Sequence, residues 1–359
     1  MSKRFLPLDG VRGLAVLMVF FSHTSGRGQY LHEYLNFTGI GHIGVYLFFV
    51  LSGFLLSMGL FSEGVNTKSL KKFYIKRTLR IIPLYYFVCL SVFIYQEYTG
   101  NFNERYLHIE GGTEGLLNHF LFIQADGLFW SILIEMHFYL AVPLIIFTLI
   151  KFRIKAVCFW LLIAVTNGFL YLSYKMHKFD VTNGFIKKYL SLHSQGTTFI
   201  DIFIFGILAA YLLRFHKEYL YKNRMIIHRL ALTAFSVLMV MVFILVTKHF
   251  LIFERPFFHF RFFSIIYGIV FSLLVLSVYL DNPWNKYFSF AWLRFIGVIG
   301  FSFYLLHFAV LQFVNTLPLY SGIKFFISFV LVCAISKISF ELIENPSVSL
   351  AKWINKKVA

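Results

Sequence analysis

Three ionisable residues sit inside apolar stretches. Residues 8–24, LDGVRGLAVLMVFFSHT, carry Arg12 near the start and His23 near the end. These two are eleven positions apart. Eleven helical steps return to within about 20° of one direction while rising about 16 Å. Both side chains therefore lie on one stripe, about half a bilayer core apart. The third residue is Glu135, in LFWSILIEMHFYLAVPL. A charge within a membrane span ordinarily faces the protein interior or a wet cavity. A histidine beside a carboxylate can remove a hydroxyl proton, because the carboxylate holds one tautomer and stabilises the imidazolium. There are bland alternatives. Arg12 snorkels and His23 caps a span end, or His23 and Glu135 form a structural ion pair.

A second group has the makings of an anion site. The segment KSLKKFYIKRTLRIIP carries Lys68, Lys71, Lys72, Lys76, Arg77 and Arg80. Arg77 and Arg80 are three apart and share a helical face, with Lys76 four before Arg80. Arginine matches phosphate through paired hydrogen bonds, so one reading is a site for a phosphorylated cytosolic ligand. The other is positive-inside topology with contact to anionic membrane lipids. Pro83 follows closely and either kinks or starts the next span. His307, in FSFYLLHFAVL with Ser302 and Tyr304 nearby, lines the same substrate cavity as His23 or is a core histidine. Glu341 and Glu344 precede Pro346 and could pair with the arginines. His42, His119 and His193 fall at span ends and read as interfacial. Gly39, Gly41, Gly44 and Gly53 bracket an apolar run, where small residues permit close helix packing.

The elements that must carry these residues are membrane helices. The chain is 59% hydrophobic and only 14% charged, against about 25% charged in a soluble domain. Long apolar runs without alternation argue against an outer-membrane barrel. The net charge of +17 would suggest nucleic acid if the basic residues clustered on a soluble face. They fall mostly in short loops, so no nucleic-acid partner is expected. The expected fold is an all-α polytopic membrane protein, a bundle of about ten transmembrane helices with both termini cytoplasmic. Spans are predicted near 10–26, 42–60, 81–97, 129–150, 156–174, 198–213, 230–247, 262–280, 295–314 and 323–342. The polar loop 175–196, with Lys175, Lys178, Lys187 and Lys188, departs from the charge bias and reads as re-entrant or surface-lying. Cys89, Cys158 and Cys333 are scattered and read as core-filling, with no disulfide framework or metal spacing. Asp9 and Arg12 interrupt the first apolar run, so no signal peptide is expected.

Taken together, the segments resemble the acyltransferase-3 family of bacterial membrane O-acyltransferases. The stretches that carry the likeness are LDGVRGLAVLMVFFSH, GVYLFFVLSGFLL, FYIKRTLRIIPLYY, LFWSILIEMHFYLAVPL, IGFSFYLLH and ELIENP. The resemblance implies an acyltransferase-3 transmembrane domain over 1–346 and a basic cytoplasmic tail over 347–359. It implies transfer of an acetyl or other acyl group from cytosolic acyl-CoA, a co-substrate rather than a bound cofactor, to a hydroxyl of a surface glycan. By the same resemblance, Arg77, Arg80 and Lys76 bind the CoA phosphates, and Arg12 lies along the donor path. His23, oriented by Glu135, serves as base or acyl carrier. The bacterial inner membrane is the implied location. The hydrolase-like extracellular domain of some relatives is not expected, so transfer would be completed by the membrane part or by a partner. The rival reading is a proton-coupled transporter or flippase for a glycan or lipid-linked precursor, with Arg12, His23 and Glu135 as its proton relay. Paired broken helices would favour that rival, and the sequence suggests none.

Overall fold

A computed structural model describes residues 5–32, 34–100, 107–177, 199–247 and 263–357. The described residues are helical, with no strand among them; one isolated bridge joins Leu35 to Thr247. The principal helices are α1 (Leu6–Gly26), α2 (Gly41–Glu63), α3 (Thr67–Thr99), α4 (Trp130–Phe152), α5 (Ile154–His177) and α6 (Ile200–Phe215). They continue with α7 (Arg224–Val246), α8 (Ser264–Tyr279), α9 (Ala291–Val298), α10 (Gly300–Asn315), α11 (Ser321–Ser339) and α12 (Asn345–Lys357). Among the described residues, six helical runs are long and apolar enough to cross a membrane, or seven if α9 and α10 count as one bent span. The chain is therefore a multi-pass membrane protein. The lysine-bearing loop expected over 175–196 lies almost wholly outside the described residues, as does His193.

Three local features differ from the sequence expectation. The helix of the third span begins earlier than the predicted 81, at Thr67, and so includes the basic segment. That segment is the first half of α3, which runs through Pro83 without ending. Asn66 starts it with a reciprocal cap: its Oδ1 accepts from Ser69 N at 2.9 Å, and Ser69 Oγ accepts from Asn66 N at 3.0 Å. A helix of this length is about 50 Å long, more than the roughly 30 Å hydrocarbon core, so one end must project from it. The C-terminal stretch is the helix α12, which packs back on α3. Finally, α9 and α10 meet at an 80° bend at Ile299. The sequence suggested no broken helix; the structure has this one among the described residues.

Close backbone contacts hold α1 and α2 at the centre. α2 is apolar all round, as befits an enclosed helix, and packs along α1 and α6. A Cβ added at Gly53 would lie 2.4 Å from the Phe203 carbonyl oxygen, and one at Gly206 would lie 2.1 Å from that of Val50. At Gly44 a Cβ would meet the Ala15 carbonyl at 2.6 Å. These contacts confirm the close packing expected of the glycines around α2. α1 meets the α9 region in the same way. A Cβ at Gly13 would lie 2.1 Å from Leu293 O, and one at Gly297 would lie 1.8 Å from Asp9 O.

This predicts opposite outcomes for two glycine substitutions. Alanine gains about 1 kcal/mol over glycine in a helix interior, whereas overpacking against backbone costs about 1–3 kcal/mol or more. Gly13→Ala should therefore lower the melting temperature of the detergent-solubilised protein. Gly59→Ala, with nothing within 4 Å of its Cβ, should leave it unchanged or raise it. Equal melting temperatures for Gly13→Ala and the parent would show that the α1–α9 contact is looser than described.

Candidate functional site

A cavity of about 160 Å³ opens between α1, α2, α3, α4 and α10. Each wall is set by helical spacing. α3 contributes Arg77 with Arg80 and Ile81, which lie three and four positions after it. α4 contributes Ser131, Glu135 and Tyr139, each four apart. α1 contributes Arg12, α2 contributes Ser52, and α10 contributes Gly300 and Tyr304. Gly300 sits where the bend brings α10 against α1; a Cβ there would lie 2.9 Å from Val16 and 3.9 Å from the Arg12 stem.

The polar groups in this cavity are interlocked. Arg12 Nη1 donates to Asp9 Oδ1 at 3.1 Å, one helical turn away. Glu135 Oε1 accepts from Tyr139 Oη at 2.6 Å and from Ser52 Oγ at 3.4 Å. Tyr304 Oη donates to the Leu128 carbonyl at 2.9 Å and accepts from Ser131 Oγ at 2.8 Å. Tyr304 is thus a strut whose own proton is committed. Arg77 Nε is buried without a hydrogen-bond acceptor. A buried guanidinium with an unused donor is costly unless an anion supplies the missing acceptor. The lining holds three guanidiniums and one carboxylate; Asp9 is already paired with Arg12, so Arg77, with its unused donor, is the guanidinium best placed to take an anionic ligand.

The histidine chemistry is assembled beside this cavity. His23 Nδ1 lies 2.8 Å from His307 Nε2, and the two ring planes are within 11°. His307 Nδ1 lies 2.6 Å from the carbonyl oxygen of Tyr304. The expected pairing of His23 with Glu135 is not formed; both acceptor contacts of Glu135 are to Tyr139 and Ser52. Similar depth along two helices does not make two side chains face one another.

Other expected members are placed differently. Lys76 is exposed and does not line the cavity with Arg77 and Arg80. Ser302 is fully buried outside the cavity, and its Oγ donates to Glu344 Oε1. Ser302 N donates to the same oxygen at 3.0 Å, so Glu344 caps the first turn of α10. A π-helical turn, Phe340–Glu344, carries that carboxylate. Glu344 is within electrostatic reach of Arg80 and Arg12, while the exposed Glu341 pairs with Lys337. His119 is not interfacial but fully buried, bonded to Gly115 O and accepting from Asp126 N. Tyr139, Ser131 and Ser52 were missed by a search for ionisable groups. Their four-residue spacing from Glu135 was the legible signal for the first two.

A family model described as an acyltransferase domain, that of the acyltransferase-3 family, matches residues 6–339. Proteins of Staphylococcus aureus strains COL and MSSA476, provisionally named O-acetyltransferases, are each 27% identical over 378 residues. The O-acetyltransferase OatA of S. aureus strain NCTC 8325 is 26% identical over 377 residues. Each alignment covers 96% of this chain but only 57–58% of the relative. The chain thus spans rather more than half the length of the curated relatives it matches. No solved structure matches it.

Proposed function

Because the chain belongs to the acyltransferase-3 family, we propose that it is a membrane O-acyltransferase, moving an acetyl group from acyl-CoA to a glycan hydroxyl. The observation that carries the reading is the adjacency of two sites. Tyr304 lines the arginine-bearing cavity, and its backbone carbonyl bonds His307, the partner of His23. In this reading the basic end of α3 faces the cytosol, and Arg77 and Arg80 hold donor phosphates there. The cavity is smaller than the roughly 300–1,000 Å³ of ordinary small-ligand sites. It suits a slender arm of the donor, with the nucleotide left outside. Arg12 lies along that arm, and the rise of about 16 Å from Arg12 to His23 is the distance the thioester must cover.

Chemistry then needs one proton and one bond exchange. His23 takes the proton of the acceptor hydroxyl as its oxygen attacks the thioester carbonyl. The C–O bond forms, the C–S bond breaks, and the departing sulfur takes the proton back from His23. The same ring nitrogen serves the alternative in which His23 itself carries the acyl group. The test is transfer of labelled acetyl from acetyl-CoA to extracted surface glycan by membranes containing this chain. Label entering glycan only when the chain is present is expected. Absence of both glycan labelling and CoA release would overturn the reading.

A further inference from the structure

We propose that His307 is a positioning residue that holds His23 in the tautomer with its lone pair on Nε2. The inference rests on the reading of His23 as the base, and it replaces Glu135 as the group that orients it. The argument begins at the fixed end of the chain of bonds. His307 is buried, and its Nδ1 lies 2.6 Å from the Tyr304 carbonyl oxygen. A carbonyl oxygen only accepts, so His307 Nδ1 carries hydrogen. In a neutral imidazole the other nitrogen is then an acceptor. That nitrogen, Nε2, lies 2.8 Å from His23 Nδ1, so His23 Nδ1 donates to it. Neutral His23 is left with its lone pair on Nε2, on the side of Gly41, where an added Cβ would lie 3.7 Å from that atom. Reversing the order would set two lone pairs against each other at the Tyr304 carbonyl.

The device differs from a histidine–carboxylate pair in one respect. His307 brings no negative charge, and the carbonyl behind it cannot take a proton. His307 therefore orients His23 without relaying the proton, which stays on His23 until the leaving sulfur takes it. Glu135, bonded to Tyr139 and Ser52, belongs to the arginine side of the site. The pairing also depends on the bend, since α10 presents His307 to α1 only after turning by 80°.

The first test needs no turnover. Nitrogen-15 spectra of histidine-labelled protein in detergent, assigned with His23→Ala and His307→Ala, should show hydrogen on Nδ1 of both rings. A neutral His23 with hydrogen on Nε2 would overturn the proposal whatever the reaction proves to be. The second test is kinetic and uses acetyl-CoA. His307→Ala should lower kcat about tenfold to a hundredfold, with KM for acetyl-CoA within about twofold. His307→Gln should recover most of the loss, because its side-chain carbonyl can accept from His23 Nδ1. A glutamine variant no better than the alanine variant, or a loss confined to KM, would leave His307 as packing and overturn the assignment. Should neither His307 variant fold, the His23 signals, assigned with His23→Ala, decide.

Discussion

Replacing His23 by alanine is expected to lower acetyl transfer about 10²–10⁴-fold, the range that a positioned general base supplies. The protein should remain folded and inserted in the membrane. His23 is half-buried and packs against the rings of Phe308, at 4.4 Å, and His307, at 5.0 Å, so truncation removes local ring contacts and the hydrogen bond to His307. Such a loss is a fraction of the stability of a helical bundle, whereas the chemistry loses its only proposed proton acceptor. Membranes matched for protein amount by immunoblot, assayed with labelled acetyl-CoA, separate the two effects. Full transfer by the variant would remove His23 from both the base and the acyl-carrier roles.

The second large effect is expected at Arg77. Its Nε is buried without an acceptor, and its neighbour Arg80 lines the same cavity. A hydrogen bond to a charged group contributes about 1.5–3 kcal/mol, and each 1.4 kcal/mol is about tenfold in affinity. Arg77→Gln should therefore raise KM for acetyl-CoA about tenfold to a hundredfold, with a smaller change in kcat at saturation. Lys76→Gln should change KM less than about twofold, since the exposed side chain points away from the cavity. The pair of variants distinguishes a built anion site from the general positive charge of α3. Equal effects from both would favour the general field; no effect from either would move the donor site elsewhere.

Acidic residues take part on both sides of this site, and their roles are separable by position. Glu135 braces Tyr139 and Ser52 across α4 and α2. Glu344 reaches from the π-helical turn to the first turn of α10. An extra residue in one turn re-aims the side chains that follow, and such turns are frequent at functional sites. Here it brings the buried carboxylate of Glu344 onto the first turn of α10.

How much of this was legible beforehand depended on the range of the interaction. Hydropathy marked the apolar helices, since it is a property of each segment by itself. Helical periodicity put Arg12 and His23 on one stripe of α1, and Arg77 and Arg80 on one face of α3, because those relations lie within a few turns of one helix. The same arithmetic already held the Ser131–Glu135–Tyr139 face. Partners across helices were a different matter. His23 meets His307, 284 residues on, and Ser302 meets Glu344, 42 residues on. Which faces meet is decided by packing: glycine contacts as close as those at Gly13 and Gly297 bring α1 against α9, and the bend at Ile299 then turns α10 toward His23. A one-residue step around a helix rotates a side chain by about 100°. Depth alone therefore could not choose between Glu135 and His307 as the partner of His23, and only the assembled bundle did.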